Sequence, residues 1–398
     1  MIRHAALFFV MLTLLLFATG CWSRRELNEL AIVTGIAIDK MDNKYRVSAQ
    51  VVDPGEAAGK KGAGGGAPVR LYEASGDTVI EAIRRMTTVT PRQLYFSHLR
   101  IFVLGEELAR EGIGKTLDVF SRDQQTRTDF YIVVSRGTAA KEILSILTPL
   151  EKNPSTKMFT SLEVSEKTWA PTVAIQLDVL ISDIVNEGKQ PVLTGIHIKG
   201  NPTMGKGKEN LETIEAAANL QYGGIAVFKK DRLIGWLNEE ESKGFSDLTN
   251  RLKSTVIEIA CGKNEKMGIE VIRSKTKVKG KVKDGKPEIE VTIRAEANIA
   301  DVACKIDLMK SKTLYNLEKE MERRVKINAE RTLSKAKKLN SDILGFGEAI
   351  HRADPQYWQT AKKDWDKQFP SLPVHIKVDV KIRHLGTIGE SFLNKMKE

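Results

Sequence analysis

The side chain with most chemistry to offer is the Cys21 thiol, in LFATGCWSRRELNELAIVTGIAIDK (16–40), where an uncharged apolar run stops and Trp22, Arg24 and Arg25 come next. Ala18, Thr19 and Gly20 before it are small enough for a peptidase groove, so a cut between Gly20 and Cys21 is open. An ordinary signal peptidase would leave Cys21 as a bare N-terminus. The lipoprotein pathway would first alkylate the sulfur with diacylglycerol, cut before it and acylate the new amine. No other chemistry competes. The remaining histidines of the mature chain, His98, His197, His351, His375 and His384, are scattered, and no HExxH, CxxC or GxSxG occurs. Acidic pairs such as Glu106-Glu107 and the run Glu239-Glu240-Glu241 fall at predicted helix starts, where carboxylates favour the positive dipole end. Neither a catalytic site, a metal site nor a cofactor site is expected.

The element that must deliver Cys21 lies directly before it. Arg3 and His4 are a short basic start, and residues 5–17 carry no charge, the layout of an export signal. As a helix those residues reach only about 20 Å, short of the roughly 30 Å hydrocarbon core, so a cleaved signal over 1–20 is expected rather than a permanent span. Apolar residue, small residue, Gly, Cys resembles a bacterial lipobox, with Ala18 where Leu is usual. In that reading two acyl chains hold the protein firmly, Trp22 sits at headgroup level, and Arg24 and Arg25 meet phosphates or a partner.

Composition agrees with export of a folded body. The chain has 398 residues, 41% hydrophobic and 28% charged, enough for two or three domains. Cys261 and Cys304 lie in the apolar, strand-like stretches TVIEIACG and IADVAC. One disulfide is open to them outside the cytoplasm, but the surroundings favour two buried free thiols. The formal net charge of +11 permits anionic partners, and export argues against nucleic acid.

Much of the excess charge falls between Lys263 and Lys338, where the pattern is clean. In EIEVTIRAEANIA the odd positions from Ile289 to Ile299 are apolar, and in IRSKTKVKGKVK the lysines from Lys275 to Lys283 share one face with Arg273. Asp284-Gly285 between them is a strong hairpin signal. With those two residues as the turn, Lys281 faces Glu288, Lys279 faces Glu290, Arg273 faces Glu296, and Lys275 faces Arg294 as a like-charge pair. The expectation is a largely neutralised, solvated face rather than a lipid-binding stripe.

The same periodicities predict strands over 30–39, 45–52, 99–104, 129–134 and 192–198, and helices over 77–88, 106–122, 138–147 and 171–186. Further on, GGIAVFKKDRLIGWLNEEESKG (223–244) predicts two strands and a helix start, 311–339 a long helix, and 374–384 a final strand. Residues 55–67 form a Gly-rich loop without GxxxxGK[ST]. The fold class is α+β, mixed sheets with helices in more than one domain, antiparallel hairpins prominent in the C-terminal half. The expected division is an N-terminal α+β domain over 21–200, a flexible linker over 201–213, and a C-terminal α+β region over 214–398, divisible into 214–300 and 301–398.

Several separated blocks then point one way. CWSRRELNELAIVTGIAID after a signal, SHLRIFVLGEELAREGIGKTLDVFSRD, GGIAVFKKDRLIGWL, SDILGFGEAIHRADPQYW and a last β-strand followed by Gly386 resemble, in that order, the Ger(x)C family of C-subunit lipoproteins of bacterial spore germinant receptors. The resemblance implies a non-enzymatic subunit of three α+β domains. It would be lipid-anchored at Cys21 to the outer face of the spore inner membrane, with membrane-embedded A and B subunits as partners, in a complex that senses nutrients and triggers germination. The alternative is an extracytoplasmic solute-binding lipoprotein, with a cleft between two parallel-sheet domains. The hairpins and the lack of regular βαβ repetition argue against it.

Overall fold

The computed structural model describes residues 2–6, 8–9, 27–57, 66–261 and 265–385. Among them two sheets are formed, one of nine strands and one of four. The large sheet contains β1 (Leu30–Met41), β2 (Lys44–Val52), β3 (Val69–Gly76), β4 (Gln93–Tyr95), β5 (Ile101–Leu104), β6 (Tyr131–Ser135), β7 (Val192–Gly200), β8 (Ala218–Lys229) and β9 (Arg232–Leu237). Their order is β3-β2-β1-β5-β6-β7-β8-β9, with β4 alongside the start of β1.

The centre of this sheet corrects one expectation. β1, β5, β6 and β7 are mutually parallel, and helices return the chain between β5, β6 and β7, so βαβ crossovers are present after all. α1 (Val79–Arg85), α2 (Glu106–Glu111), α3 (Gly114–Arg122), α4 (Ala140–Ser145), α5 (Pro154–Thr168) and α6 (Leu177–Val185) supply the cover. Both faces are therefore buried. Ile36, Ile38, Phe102, Leu104, Ile132 and Val134 pack into one core, while Ala37, Ile101, Val103 and Val133 pack with Met158 and Leu162 of α5 into the other. The helix expected over 106–122 is broken at Gly112, which takes a φ of 137°.

Residues 201–213, expected as a flexible linker, join β7 to its antiparallel neighbour β8 within the same sheet. Two one-turn helices, Pro202–Gly205 and Glu209–Glu212, lie there. Buried Asn210 fastens the segment, donating to Leu147 O (2.7 Å) and Ala218 O (3.0 Å) and accepting from Ala218 N (3.0 Å). The polar, Gly-containing composition is that of a connection, but its ends are pinned by the ladder.

The small sheet has the order β10-β11-β12-β13, from β10 (Thr255–Ala260), β11 (Lys266–Lys283), β12 (Lys286–Val302) and β13 (Val374–His384). α7 (Glu239–Leu248) and α8 (Ser311–Lys338) pack over its apolar side, with Leu317, Met321, Val325 and Ala336 of α8 buried against it. α9 (Phe346–Ala353) and α10 (Pro355–Ala361) complete the region. Along the outer edge of β13, Val380 N and Ile382 N donate to the carboxylates of Glu322 (3.4 Å) and Glu318 (3.1 Å) on α8. That arrangement closes an edge that would otherwise be open to pairing. Cys261 and Cys304 are joined in a disulfide, Cα atoms 6.0 Å apart, against the expectation of free thiols.

The two sheets share one contiguous core. They meet where Gln190 N donates to Asp342 O (2.9 Å), Glu348 N to Gly188 O (3.2 Å), and Ser341 Oγ to Phe228 O (2.6 Å). A Cβ on Gly347 would lie 2.6 Å from the Gly188 Cα, so this approach requires glycine on both sides.

Candidate functional site

Gly20, Cys21, Trp22, Arg24 and Arg25 lie outside the described residues, and the reach of Cys21 is bounded from β1, the first strand after it. β1 begins at buried Leu30, whose Cα partner is Gln93 of β4. Leu30 is the ninth residue after Cys21, a reach of at most about 30 Å when fully extended. An anchor at Cys21 would thus hold the end of the large sheet from which its parallel strands start within that distance of the bilayer. Among the described residues no helix is long and apolar enough to cross a membrane.

A cleft opens at the same end. It lies between the C-terminal halves of α1 and α3 and the short β4, has a volume of 410 Å³, and is walled by Ile80, Ile83, Leu94, Phe96, Val119 and Phe120. Thr78 sets the start of α1 by accepting from Glu81 N (3.2 Å). Arg84, which is exposed, and Arg122 also line the cleft. Arg122 is paired with Asp118 at 2.8 Å, and that hydrogen bond holds the Asp118 carboxyl below its ordinary range.

At the opposite end of the parallel strands the polar groups satisfy one another. Asp39 accepts from Ala140 N (2.7 Å) and Lys141 N (3.0 Å) at the start of α4 and pairs with Arg46. Glu106, expected only to favour a helix dipole, accepts from Arg110 (2.6 Å) and Trp236 Nε1 (3.1 Å). Burial works to raise its carboxyl, and these donors hold it below the usual range. Arg136 stacks over the Trp236 ring at 4.9 Å. Back at the start of β7, where the sheets meet, Asp342 accepts from Gly347 N (2.7 Å), Phe346 N (3.1 Å) and Trp365 Nε1 (2.9 Å). Burial pushes it up to about 6 against those bonds. The stretches 97–123, 223–237 and 341–358 therefore meet on the β8-β9 hairpin: Ile113 N donates to Asp231 O (3.0 Å) and Ser341 Oγ to Phe228 O. Among the described residues no group of three or more His, Cys, Asp or Glu could hold a metal ion.

The basic hairpin has the expected register. Lys281 lies opposite Glu288, Lys279 opposite Glu290, Lys275 opposite Arg294, and Arg273 opposite Glu296. Asp284 and Gly285 both take positive φ, 51° and 71°, as a two-residue hairpin turn requires. The ion pair itself runs diagonally, from Lys281 to Glu290. It lowers the carboxyl and raises the ammonium. β13, parallel to β12, extends this face: Lys381 pairs with Glu318 (2.9 Å), Arg383 with Glu296 (2.7 Å), and Lys377 is exposed.

The family described as "Spore germination protein N-terminal domain" matches residues 23–198, and that described as "Spore germination B3/ GerAC like, C-terminal" matches 223–386. The chain is 33% identical over 406 residues to "Spore germination protein KC" of Bacillus subtilis (strain 168), covering 100% of both. It is 24% identical over 399 residues to "Spore germination protein B3" of the same organism, covering 98% of this chain and 100% of that one. Its fold is similar to that in "Crystal Structure of the GerBC protein", with a TM-score of 0.56 at 20% identity, covering 87% of this chain and 96% of the other. By these matches, which run through both sheets and across the segment joining β7 to β8, the chain belongs to the Ger(x)C family of spore germination proteins.

Proposed function

We propose that the protein is the lipid-anchored C subunit of a nutrient germinant receptor. It is held at the outer face of the spore inner membrane through acylated Cys21 and assembles with membrane-embedded A and B subunits. The reading rests on one observation above others: the relation to spore germination protein KC extends over the whole of both chains, so no part of the relative's architecture lacks a counterpart here. The role is assembly rather than catalysis, since the buried carboxylates Asp39 and Asp342 are occupied by backbone and indole donors. The test is capture of the full chain from detergent-extracted spore membranes with identification of what accompanies it. Two transporter-like membrane subunits, together with delayed nutrient germination in a deletion strain restored by the gene, are expected. Recovery of the chain alone, with germination unaffected by its loss, would overturn the proposal.

The solute-binding reading has one feature in its favour, a cleft of 320 Å³ where the two sheets meet. Its charged lining is internally paired: Asp183 with Lys189 (2.8 Å), Glu348 with Arg352 (3.6 Å), and Arg251 with Glu166 outside the lining (3.5 Å). A zwitterionic solute would have to break these pairs. Calorimetry of the full chain against amino acids and sugars is expected to show no binding tighter than roughly millimolar; a micromolar signal would favour the solute-binding reading.

A further inference from the structure

We propose that the cleft between α1, β4 and α3 is a groove for one anionic phospholipid of the bilayer, its acyl chain along the apolar wall and its headgroup phosphate at Arg84. The proposal rests on the anchoring role of Cys21 and adds to it a second, non-covalent contact with the membrane. Three observations converge on this cleft. The first is position: Gln93, which lines it, is the Cα partner of Leu30, which follows Cys21 by nine residues. The tether thus keeps this end of the large sheet within about 30 Å of the lipid.

The second is shape and polarity. Phe96 and Phe120 form a buried wall, while Ile80 remains 48% exposed at the lip, and Val89 on the turn after α1 is 57% exposed. Apolar side chains left open at the end facing a bilayer are suited to lipid rather than water. The volume of 410 Å³ lies within the roughly 300–1,000 Å³ of small-ligand pockets.

The third is charge. Asp118 is engaged by Arg122, and Asp123 accepts from Gln125 N (3.0 Å) and Thr126 Oγ1 (2.7 Å). Arg84 has no ion pair among the described residues, which leaves a guanidinium for phosphate. Arginines in the last turns of α1 and α3 would suit the helix dipoles alone. That accounts for the charges and not for the open apolar wall between them.

The test uses the full chain in nanodiscs of phosphatidylcholine with phosphatidylglycerol, the latter carrying a photoactivatable group on its acyl chain, with labelled peptides mapped by mass spectrometry. Label on α1 and α3 is expected. Ile80→Asp, at an exposed position, should reduce it about tenfold with an unchanged thermal midpoint. Arg84→Gln should abolish the preference for phosphatidylglycerol over phosphatidylcholine. Absence of label from both helices, or equal label in Ile80→Asp, would overturn the groove. So would exclusion of the lipid label on adding detergent-extracted membrane subunits, since the occupant would then be protein. The mass of the N-terminal peptide from spore membranes separates the two readings: acylated Cys21 with an unlabelled cleft overturns the groove alone, whereas unmodified Cys21 overturns the anchor.

Discussion

The β11-β12 hairpin of the small sheet and the parallel centre of the large sheet are held in register by opposite means. In that hairpin the pairings from Lys283 with Lys286 to Arg273 with Glu296 follow from the adjacent turn at Asp284 and Gly285, so they are local and legible from alternation. In the large sheet Gly35 pairs with Ile101, and Ile101 in turn with Tyr131, across intervening hairpins and helices. A strand buried on both faces shows no alternation by which to recognise its neighbour. The small sheet therefore keeps one face in water with lysines along it, whereas the parallel centre of the large sheet is enclosed, and β1 in it follows Cys21 in the chain.

That difference can be broken first at the disulfide, which belongs to the small sheet alone. β10 and β12 both run antiparallel to β11, so their ends come to the same side and bring Cys261 and Cys304 together. Replacing both with Ser opens a loop with a sequence separation of 43, at a cost of about 4 kcal/mol by chain entropy. Hydrogen exchange should accelerate in β10 to β12 while β1, β5 and β6 stay protected. Uniform loosening of both sheets would show that the regions are not separable.

Asp247, on α7 at the seam, sharpens the comparison through pH. Burial pushes its carboxyl up to about 7, against roughly 4 in the unfolded chain. The fold favours the protonated form, so the stability this group contributes is full below about pH 4 and is lost as the pH rises toward 7. Asp247→Asn should match the parent at pH 4 and exceed it at pH 8 by on the order of 2–4 kcal/mol in denaturant unfolding. The backbone carbonyl that accepts from Thr276 Oγ1 (2.6 Å) is untouched. Parallel pH profiles for the two proteins would refute the assignment.

The smallest effect is expected on the exposed hairpin. Lys279→Glu with Lys281→Glu replaces the diagonal ion pair to Glu290 by like-charge opposition. The thermal midpoint should fall by a little, without a specific change in binding to anionic vesicles. An unchanged midpoint with lost vesicle affinity would make this face, rather than the cleft by β4, the membrane contact.

Legibility in the amino acids divides along the same line. Residues 311–339 display their apolar stripe, and Asp284-Gly285 fixes eleven pairings at once, from Lys283 back to Arg273. α5 escapes a reading by periodicity, although Asn153-Pro154 is a helix start signal, with Asn153 accepting from Ser155 N (3.0 Å) and Thr156 N (3.3 Å). Its apolar positions, Met158 and Leu162, are few against a polar sequence. The parallel pairing of β1 with β5, the disulfide, and the bond between Glu106 and Trp236 all depend on residues far apart in the chain, where no local pattern announces the partner. The cleft is of the same kind, since α1, β4 and α3 become neighbours only once β4 lies beside β1. Cys21 is the reverse case: its small neighbours and the apolar run before it are contiguous, so the reading proposed for it draws on no fold.

The most direct test of the anchored-subunit reading is mass spectrometry of the N-terminal peptide from protein extracted from spore membranes. Cys21 as the first residue, its sulfur carrying diacylglycerol and its amine acylated, is the result expected, with Cys21→Ala leaving an uncleaved precursor or a released protein and weakened germination. An unmodified Cys21, or an intact Met1 start in functional protein, would contradict it.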